Sequence, residues 1–551
     1  MRRAGRATAR RSFRGGQATH AEAAFPKGHP VTIRHRRTFA VVAAAGLLAL
    51  STPASAAPTT APITTTDPAA GAAGWLAQQF VGTSHVPSPT GDHFEGSFGS
   101  PITYYFDGGT TADAIYALAA AKAGKTKIDA AIAYFEQHVA EYTSVSDTTG
   151  APGPSDGQVG KTALAAIAAG ADATSFGGYN LLQTLKDDEC TGPSGSSTDF
   201  TVPTCPAAGA GRNIFASVSE SLIILAEARA GGSYAPSAGA LGYLLSLQCA
   251  DGGFTVETAG GTGCTSDVDA TGYAAAALVA LGAQQASLDK ATAWLLGQRN
   301  AAGYWVAQGG PDVDSTGLAA SALDATGADT STSRAWLASQ QMTTGPTIGV
   351  GSSRGALKFL GAFDPSSSIK ATADGLLGMV PGACLATLTA AGATPGTAVL
   401  ALVAPTTSSA SVRQGGKLTV TGLGYGAGEK VAAELHSAPV SLGSVTASTA
   451  GTAIVTFTVP TTLAVGTHSV VLTGATSGLT STATFTVTTA AAAPGSATPA
   501  QTTQAPPAPA ITQPLANTGL DGRQALTESL IALICIAAGA GVLYLGRRRP
   551  T

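Results

Sequence analysis

Charge is scarce in this sequence. Asp, Glu, Lys and Arg make up only 11% of its 551 residues, and they nearly balance. Low charge would point to a low-complexity chain if apolar residues were scarce too, but 44% of the residues are hydrophobic, enough to build a core. No basic stripe runs along the chain, so a nucleic-acid partner has no electrostatic support. Histidine is rare as well: residues 67–401 hold only His85, His93 and His138, with no Cys nearby and no C-x-x-C anywhere. No metal and no cofactor is therefore expected. No phosphate-cradling loop is found, and no G-x-S-x-G elbow with a partner His is expected.

The chain is long enough for several domains. Arg34, Arg36 and Arg37 precede an apolar run at 39–50, and Ala54-Ser55-Ala56 then offers an A-x-A cleavage site. That order reads as a signal peptide over 1–56, with an apolar run too short to span a bilayer. The stretch before Val31 is basic, irregular and unlike an n-region, which predicts Val31 as the natural start. Arg36-Arg37-Thr38-Phe39 also resembles part of a twin-arginine signal, so the export route stays open. A Thr/Ala/Pro spacer follows at 57–66, then an Ala/Leu-rich region at 67–401. Composition shifts to Thr/Val/Gly alternation at 405–489, and 490–514 is an Ala/Pro/Thr/Gln linker without apolar periodicity.

Residues 515–551 carry three features in order. Leu515-Ala516-Asn517-Thr518-Gly519 comes first, an apolar segment at 530–545 second, and Arg547-Arg548-Arg549 last. This resembles the sorting signal of sortase substrates, in the L-A-x-T-G variant of L-P-x-T-G. The resemblance implies cleavage between Thr518 and Gly519 by a sortase, and covalent attachment of Thr518 to peptidoglycan. The apolar segment would hold the chain in the membrane as a transmembrane helix, with the basic tail inside. The expected location is thus secreted and cell-wall-anchored, with membrane insertion before sorting.

Cys190 and Cys205 bracket one Gly/Ser/Thr/Pro-rich loop, and Cys249 and Cys264 bracket another with the same separation. In an exported chain this spacing reads as two loop-closing disulfides. Cys535 falls in the membrane segment, and Cys384 reads as a buried free thiol. The strand-like runs 417–421, 455–459 and 482–487 alternate with period two and are punctuated by glycines, which predicts a small all-β sandwich. This segment resembles the bacterial immunoglobulin-like modules of surface proteins.

Residues 67–401 repeat. Trp75-Leu76-Ala77-Gln78-Gln79, Tyr134-Phe135-Glu136-Gln137, Leu181-Leu182-Gln183, Tyr243…Gln248, Trp294…Gln298 and Trp336…Gln340 each end a helix, and most lead through a Gly-rich loop into an Ala/Leu-rich helix. Six helical hairpins are expected, stacked because one hairpin cannot bury its own apolar face. Tyr243…Gln248-Cys249-Ala250-Asp251-Gly252-Gly253-Phe254 and Trp294…Gln298…Gly303-Tyr304-Trp305 resemble the Q-W repeats of triterpene cyclases. The region is similar to the α/α-toroid of squalene cyclases, protein prenyltransferase β-subunits and cobalamin carriers. That resemblance implies an all-α (α/α)6 toroid whose loop Gln and aromatic residues tie hairpins together.

Two Asp pairs are the candidate site: Asp267-Val268-Asp269-Ala270-Thr271 and Asp312-Val313-Asp314-Ser315-Thr316. The first resembles the D-x-D-D-T acid motif of squalene-hopene cyclases, but Ala270 and Ser315 replace its final Asp. The pairs recur at equivalent places where helices begin, so capping is the expected role. No catalytic residue is assigned. Gly91-Asp92-His93-Phe94-Glu95 is expected to be solvated polar surface. The zinc ligands of prenyltransferases and the Cys-Gly-Glu-Gln thioester of complement-like toroids are missing. The expected function is a wall-anchored surface protein whose toroid binds an unknown ligand or partner. The alternative is a secreted enzyme, terpene-cyclase- or prenyltransferase-like, that uses the toroid cavity.

Overall fold

The structure is a computed structural model that describes residues 62–80, 92–98, 102–143, 155–190, 216–256, 264–347, 352–437 and 439–489. The signal peptide, the linker, the motif from Leu515 to Gly519, the expected membrane segment and Cys205 lie outside these residues. Among the described residues no helix is long and apolar enough to cross a membrane.

Among the described residues twelve α-helices form six hairpins: α1 (Pro68–Gln79) with α2 (Gly108–Ala120), α3 (Lys125–Thr143) with α4 (Asp156–Ala169), α5 (Leu181–Asp187) with α6 (Ala216–Ala230), α7 (Ala238–Ser246) with α8 (Val268–Leu281), α9 (Gln285–Gln298) with α10 (Val313–Ala325), and α11 (Ser331–Ser339) with α12 (Ser367–Met379). The second helices form an inner ring, packing in the order α2, α4, α6, α8, α10, α12 and back to α2. The first helices lie outside them. An inner helix is enclosed on every side, which is why its sequence is apolar or small nearly all round. Ala112, Ala114, Ile115, Ala117, Leu118 and Ala119 of α2 are fully buried. Glycine sets the closest approaches: a Cβ on Gly317 of α10 would lie 2.0 Å from the Asp374 carbonyl oxygen of α12.

Among the repeat glutamines Gln248 ties neighbouring hairpins as the resemblance implied, whereas at the last repeat Gln341 makes the tie and the expected Gln340 donates to Ser339 Oγ instead. Gln248 donates to Gly252 O and to Ser287 O of the next hairpin, both at 2.9 Å. Gln341 donates to Pro68 O at 2.8 Å, tying the last hairpin to the first, and Trp75 Nε1 reaches Ser352 O at 3.1 Å. Thr64 and Thr65 were read as spacer. They instead form β1 (Thr64–Thr65), in parallel register with β6 (Val399–Leu400), where the toroid ends. Between these lie two rim hairpins, β2 (Glu95–Phe98) with β3 (Thr103–Phe106) and β4 (Trp305–Ala307) with β5 (Gly310–Asp312).

The second body is the expected β-sandwich. One sheet is ordered β11 (Val440–Thr446), β10 (Lys430–His436), β13 (Gly466–Gly474), β14 (Thr480–Thr488), β8 (Ser411–Arg413). The other is ordered β12 (Thr452–Thr458), β9 (Lys417–Leu423), β7 (Thr406–Thr407). The period-two alternation points Leu418, Val420, Val455, Leu472, Phe485 and Val487 into one core. Tyr425 is fully buried and satisfies its hydroxyl on Leu472 O and Ser481 Oγ. Arg354 of the toroid, 3% exposed, reaches Leu400 O, Ala401 O and Thr343 O, and Thr347 donates to Gly424 O, so the two bodies are hydrogen-bonded across their junction.

Candidate functional site

One local grammar begins most inner helices. Asp107, Asp267 and Asp312 are N-caps whose carboxylates accept from Thr110 N (2.9 Å), Ala270 N (2.9 Å), and Asp314 N and Ser315 N (2.9 and 3.3 Å). One turn later a Thr hydroxyl donates back to the helix start: Thr111 to Asp107 O and Thr271 to Asp267 O. The same hydroxyl accepts from the backbone of a bulky loop residue. Thus Phe94 N donates to Thr111, Phe254 N to Thr271, Trp305 N to Thr316 and Leu357 N to Thr372. The clasp seats these four side chains in the core and brings the inner helix starts to one face.

The capping expectation therefore holds for the first Asp of each pair and fails for the second. Asp269 and Asp314 cap nothing. Two residues inside the cap, they face the ring axis with Lys370, which holds the corresponding place in Ser368-Ile369-Lys370 of α12. One turn deeper stand Asp113 of α2, Lys161 of α4, Tyr273 of α8 and Asp374 of α12. Lys370 Nζ lies 3.4 Å from Asp113 Oδ2 and 3.5 Å from Asp314 Oδ1, and is hydrogen-bonded to Asp374 Oδ2. Lys161 Nζ takes the other oxygen of Asp113 at 2.7 Å. Sequence reasoning missed Lys370, Asp374, Asp113 and Lys161 as a group. Counting from the clasping threonine relates three of them: Lys370 stands two before Thr372, as Asp269 and Asp314 do before Thr271 and Thr316, and Asp113 and Asp374 stand two after Thr111 and Thr372.

Exposure divides the cluster. Asp113 and Asp374 show 1% of their side-chain surface, Asp314 14%, and Lys370 43%. A partly exposed lysine side chain thus carries its ammonium down to a buried carboxylate layer. Burial works against the charge of Lys370, but Asp113, Asp374 and Asp314 outweigh it and raise the ammonium well above its usual range. Burial, reinforced by the Asp314 carboxylate, pushes Asp374 up to about 8 against the pull of Lys370. Burial likewise pushes Asp269 up to about 6, while the Ser315 hydroxyl pulls it down and Asp267 adds to the rise. Burial also raises the capping Asp312, which is fully buried. Asp269 Oδ1 and Asp312 Oδ2 are buried with no hydrogen-bond partner.

The opposite end of the ring is stoppered. Residues 381–391 cross it, with Ala390 N on Ala168 O (2.6 Å), Ala383 O accepting from Ser321 (2.8 Å), and Leu385 O and Leu388 O accepting from Arg229. Cys384 is buried there as a free cysteine, and burial pushes its thiol up to about 11. The site is thus reached from the helix-start face.

Cys249 and Cys264 are joined, with Cα atoms 5.7 Å apart. Cys190 is buried, and its expected partner Cys205 lies outside the described residues. Residues 92–95 are not solvated surface. His93 is 1% exposed and stacks on Tyr134 at 3.8 Å, Phe94 is 4% exposed, and Asp92 pairs with Lys127 at 2.8 Å. Aromatic residues of α3 form the shelf, which the loop's polar composition hid. The bare G-x-S-x-G string does occur, without a partner His beside it in the sequence. It occurs as Gly153-Pro154-Ser155-Asp156-Gly157 and as Gly351-Ser352-Ser353-Arg354-Gly355, but Ser155 and Ser353 are 7% and 4% exposed, too buried to meet a substrate. No group of three or more His, Cys, Asp or Glu among the described residues could hold a metal ion.

Residues 398–487 match the family model of the macroglobulin-like domain, which covers the sandwich. No curated protein matches the chain. Among solved structures it is similar to type II terpene cyclase MstE from Scytonema. With a variant bound to geranylgeranyl dihydroxybenzoate it shares 16% identity over 57% of this chain and 96% of that one, at a TM-score of 0.37. For a second variant with the same substrate the values are 17%, 57%, 96% and 0.39, and for the apo enzyme 17%, 57%, 97% and 0.37. At that identity and overlap the likeness says nothing of this chain's chemistry.

Proposed function

We propose that the chain is an exported surface protein, joined to peptidoglycan through Thr518 by a sortase, and that its toroid binds a ligand or partner at the Lys370 mouth without turning it over. The ordered run of Leu515 to Gly519, apolar segment and basic tail supports the anchoring. The macroglobulin-like body and the linker then act as spacers. The observation that carries the binding reading is a lysine side chain 43% exposed whose ammonium is held by carboxylates 1% exposed. Apolar side chains in place of a buried ionic network are often neutral or stabilising, so a network at a solvent-reached mouth supports a role beyond holding the fold.

The enzymatic alternative has one observation in its favour: Asp269, raised to about 6, holds its proton more tightly than an ordinary carboxylate. Protonating an alkene instead calls for a strong acid in a dry apolar pocket. Asp269 shares its mouth with Lys370, Asp314 and Asp374, which is the opposite setting. Two measurements test the proposal. Thr518→Ala should shift the protein from the wall fraction to membrane or medium, and unchanged detergent-resistant wall linkage would refute anchoring. Incubation with geranylgeraniol should yield no cyclised product. A product made by the parent and lost in Asp269→Asn would replace binding with catalysis.

A further inference from the structure

The macroglobulin-like body, so far only a spacer, holds a serine hydroxyl and an imidazole in hydrogen-bond contact. We propose that Ser437 is an activated nucleophile with His468 as its general base, and that the pair cleaves a short-chain acyl ester. The two are 31 residues apart in sequence and are joined by the sheet. β10 and β13 run antiparallel with His436 opposite Ser469, so the turn that follows β10 brings Ser437 to His468. Ser437 Oγ lies 2.6 Å from His468 Nδ1, and His468 Nε2 lies 2.8 Å from Ala464 O. A carbonyl oxygen only accepts, so Nε2 of the neutral ring carries the hydrogen. Nδ1 then keeps its lone pair, and the Ser437 hydroxyl donates to it. Nucleophile, base and a third group that orients the base are thus in line.

Exposure and space favour chemistry there. Ser437 is exposed, whereas His468 is 6% exposed, its ring 6.1 Å from that of Phe485. An open hydroxyl therefore rests on a base that cannot turn without losing Ala464 O. A contact that only tied the turn down would need no room in front of it. Here a cavity of about 260 Å³ opens at the pair, lined by His436, Ser437, Thr467, His468, Ser469 and Thr484. All six carry a hydroxyl or an imidazole, which suits a polar ester. The volume falls below the ~300–1,000 Å³ of drug-sized sites, which limits the acyl group to a few carbons. In the reaction Ser437 Oγ bonds to the ester carbonyl carbon as its proton passes to His468 Nδ1. The bond from that carbon to the alcohol oxygen breaks, and the alcohol leaves with the proton from Nδ1. Water then adds to the acyl group on Ser437 and gives a proton to Nδ1. The acid departs as that proton returns to Ser437 Oγ.

The test is reaction of the purified full chain with a fluorophosphonate and with p-nitrophenyl acetate. Peptide mapping should place the phosphonyl group on Ser437 in preference to Ser441 and Ser444. Both of these are exposed on β11, and neither bonds a histidine among the described residues. Ser437→Ala, a change at an exposed turn, should abolish nitrophenolate release. His468→Asn keeps an acceptor near the place of Nδ1 but takes up no proton, so it should slow release by about a hundredfold or more. The contrast among the three serines is read in the parent itself and stands even where His468→Asn fails to fold. Release should be slower from p-nitrophenyl octanoate than from the acetate. Equal labelling of Ser437, Ser441 and Ser444 would overturn the inference, as would equal nitrophenolate release by the parent and Ser437→Ala. Faster release from the octanoate would overturn the short-chain assignment.

Discussion

Gly317→Ala sets helix propensity against tertiary packing with opposite signs. In an exposed helix interior, Gly→Ala stabilises by about 0.5–1 kcal/mol, because glycine gives up more backbone freedom on folding. At Gly317 the added Cβ would lie 2.0 Å from Asp374 O, 2.4 Å from Asp374 C and 2.6 Å from Gly375 Cα. All three are backbone atoms, so no rotamer change relieves the contact. Ordinary contact begins near 3.4 Å, so α10 and α12 must part by roughly 1.4 Å, in an interior packed as densely as an organic crystal. Overpacking of this kind costs about 1–3 kcal/mol and exceeds the propensity gain, so a net loss of about 1–2 kcal/mol is expected. Gly242→Ala and Gly297→Ala are matched controls, since their Cβ atoms would meet nothing within 4 Å. Both should be neutral or stabilising. Urea unfolding of the three variants beside the parent measures the difference. Gly317→Ala at or above parental stability would refute the close approach of the two inner helices, and with it the tight ring that places Lys370 beside Asp113 and Asp314.

Asp267→Ala and Asp312→Ala should each lose about 0.5–2 kcal/mol, and the Asn variants well under ~1 kcal/mol, because Asn keeps the capping oxygen; equal losses for Asn and Ala in thermal melts would contradict capping. Asp374 and Asp269 have folded pKa values raised above the ordinary 3.8, to about 8 and about 6, so the native state binds more protons than the unfolded chain between these limits. Stability should therefore be greatest on the acid side and fall as pH rises from about 4 to 8, by up to about 1.4 kcal/mol per pH unit for each proton released on unfolding. Asp374→Asn should flatten that slope in melts across the range, although Asp113, Asp314, Lys370 and Tyr273 still face the position; a slope unchanged in Asp374→Asn would refute the assignment. Reducing Cys249–Cys264, which closes a loop of sequence separation 15, should cost about 3 kcal/mol. Non-reducing peptide maps should pair Cys190 with Cys205 as well, and free thiols at both would end the two-loop reading.

The hairpin repeat could be read from sequence because its marks are local. A Trp or Tyr ends the outer helix, a Gln follows, and a Gly-rich turn leads inward, as at Tyr243…Gln248 and Trp294…Gln298. The alternation in β9, β12 and β14 was legible for the same reason. The charged mouth was not, because it is assembled from one or two residues of each of five helices, at different distances from their caps. Asp269 and Asp314 drew notice through the D-V-D string. Lys370 stood in a Ser-rich stretch, and Asp113 and Lys161 sat within Ala-rich helices. The two Asp of each string point different ways because two helix positions turn by about 200°: Asp267 bonds the backbone, and Asp269 looks down the axis. His93 misled for a related reason, since its burial is decided by Tyr134 on another element.

The central claim is display on the wall through Thr518. Walls from cells that express the protein should be digested with a muramidase, and the released protein cut with trypsin. The account predicts a C-terminal peptide that ends at Thr518 and carries the added mass of a peptidoglycan stem peptide. A tryptic peptide that continues through Gly519 to Arg523, from protein that detergent alone extracts, would contradict it.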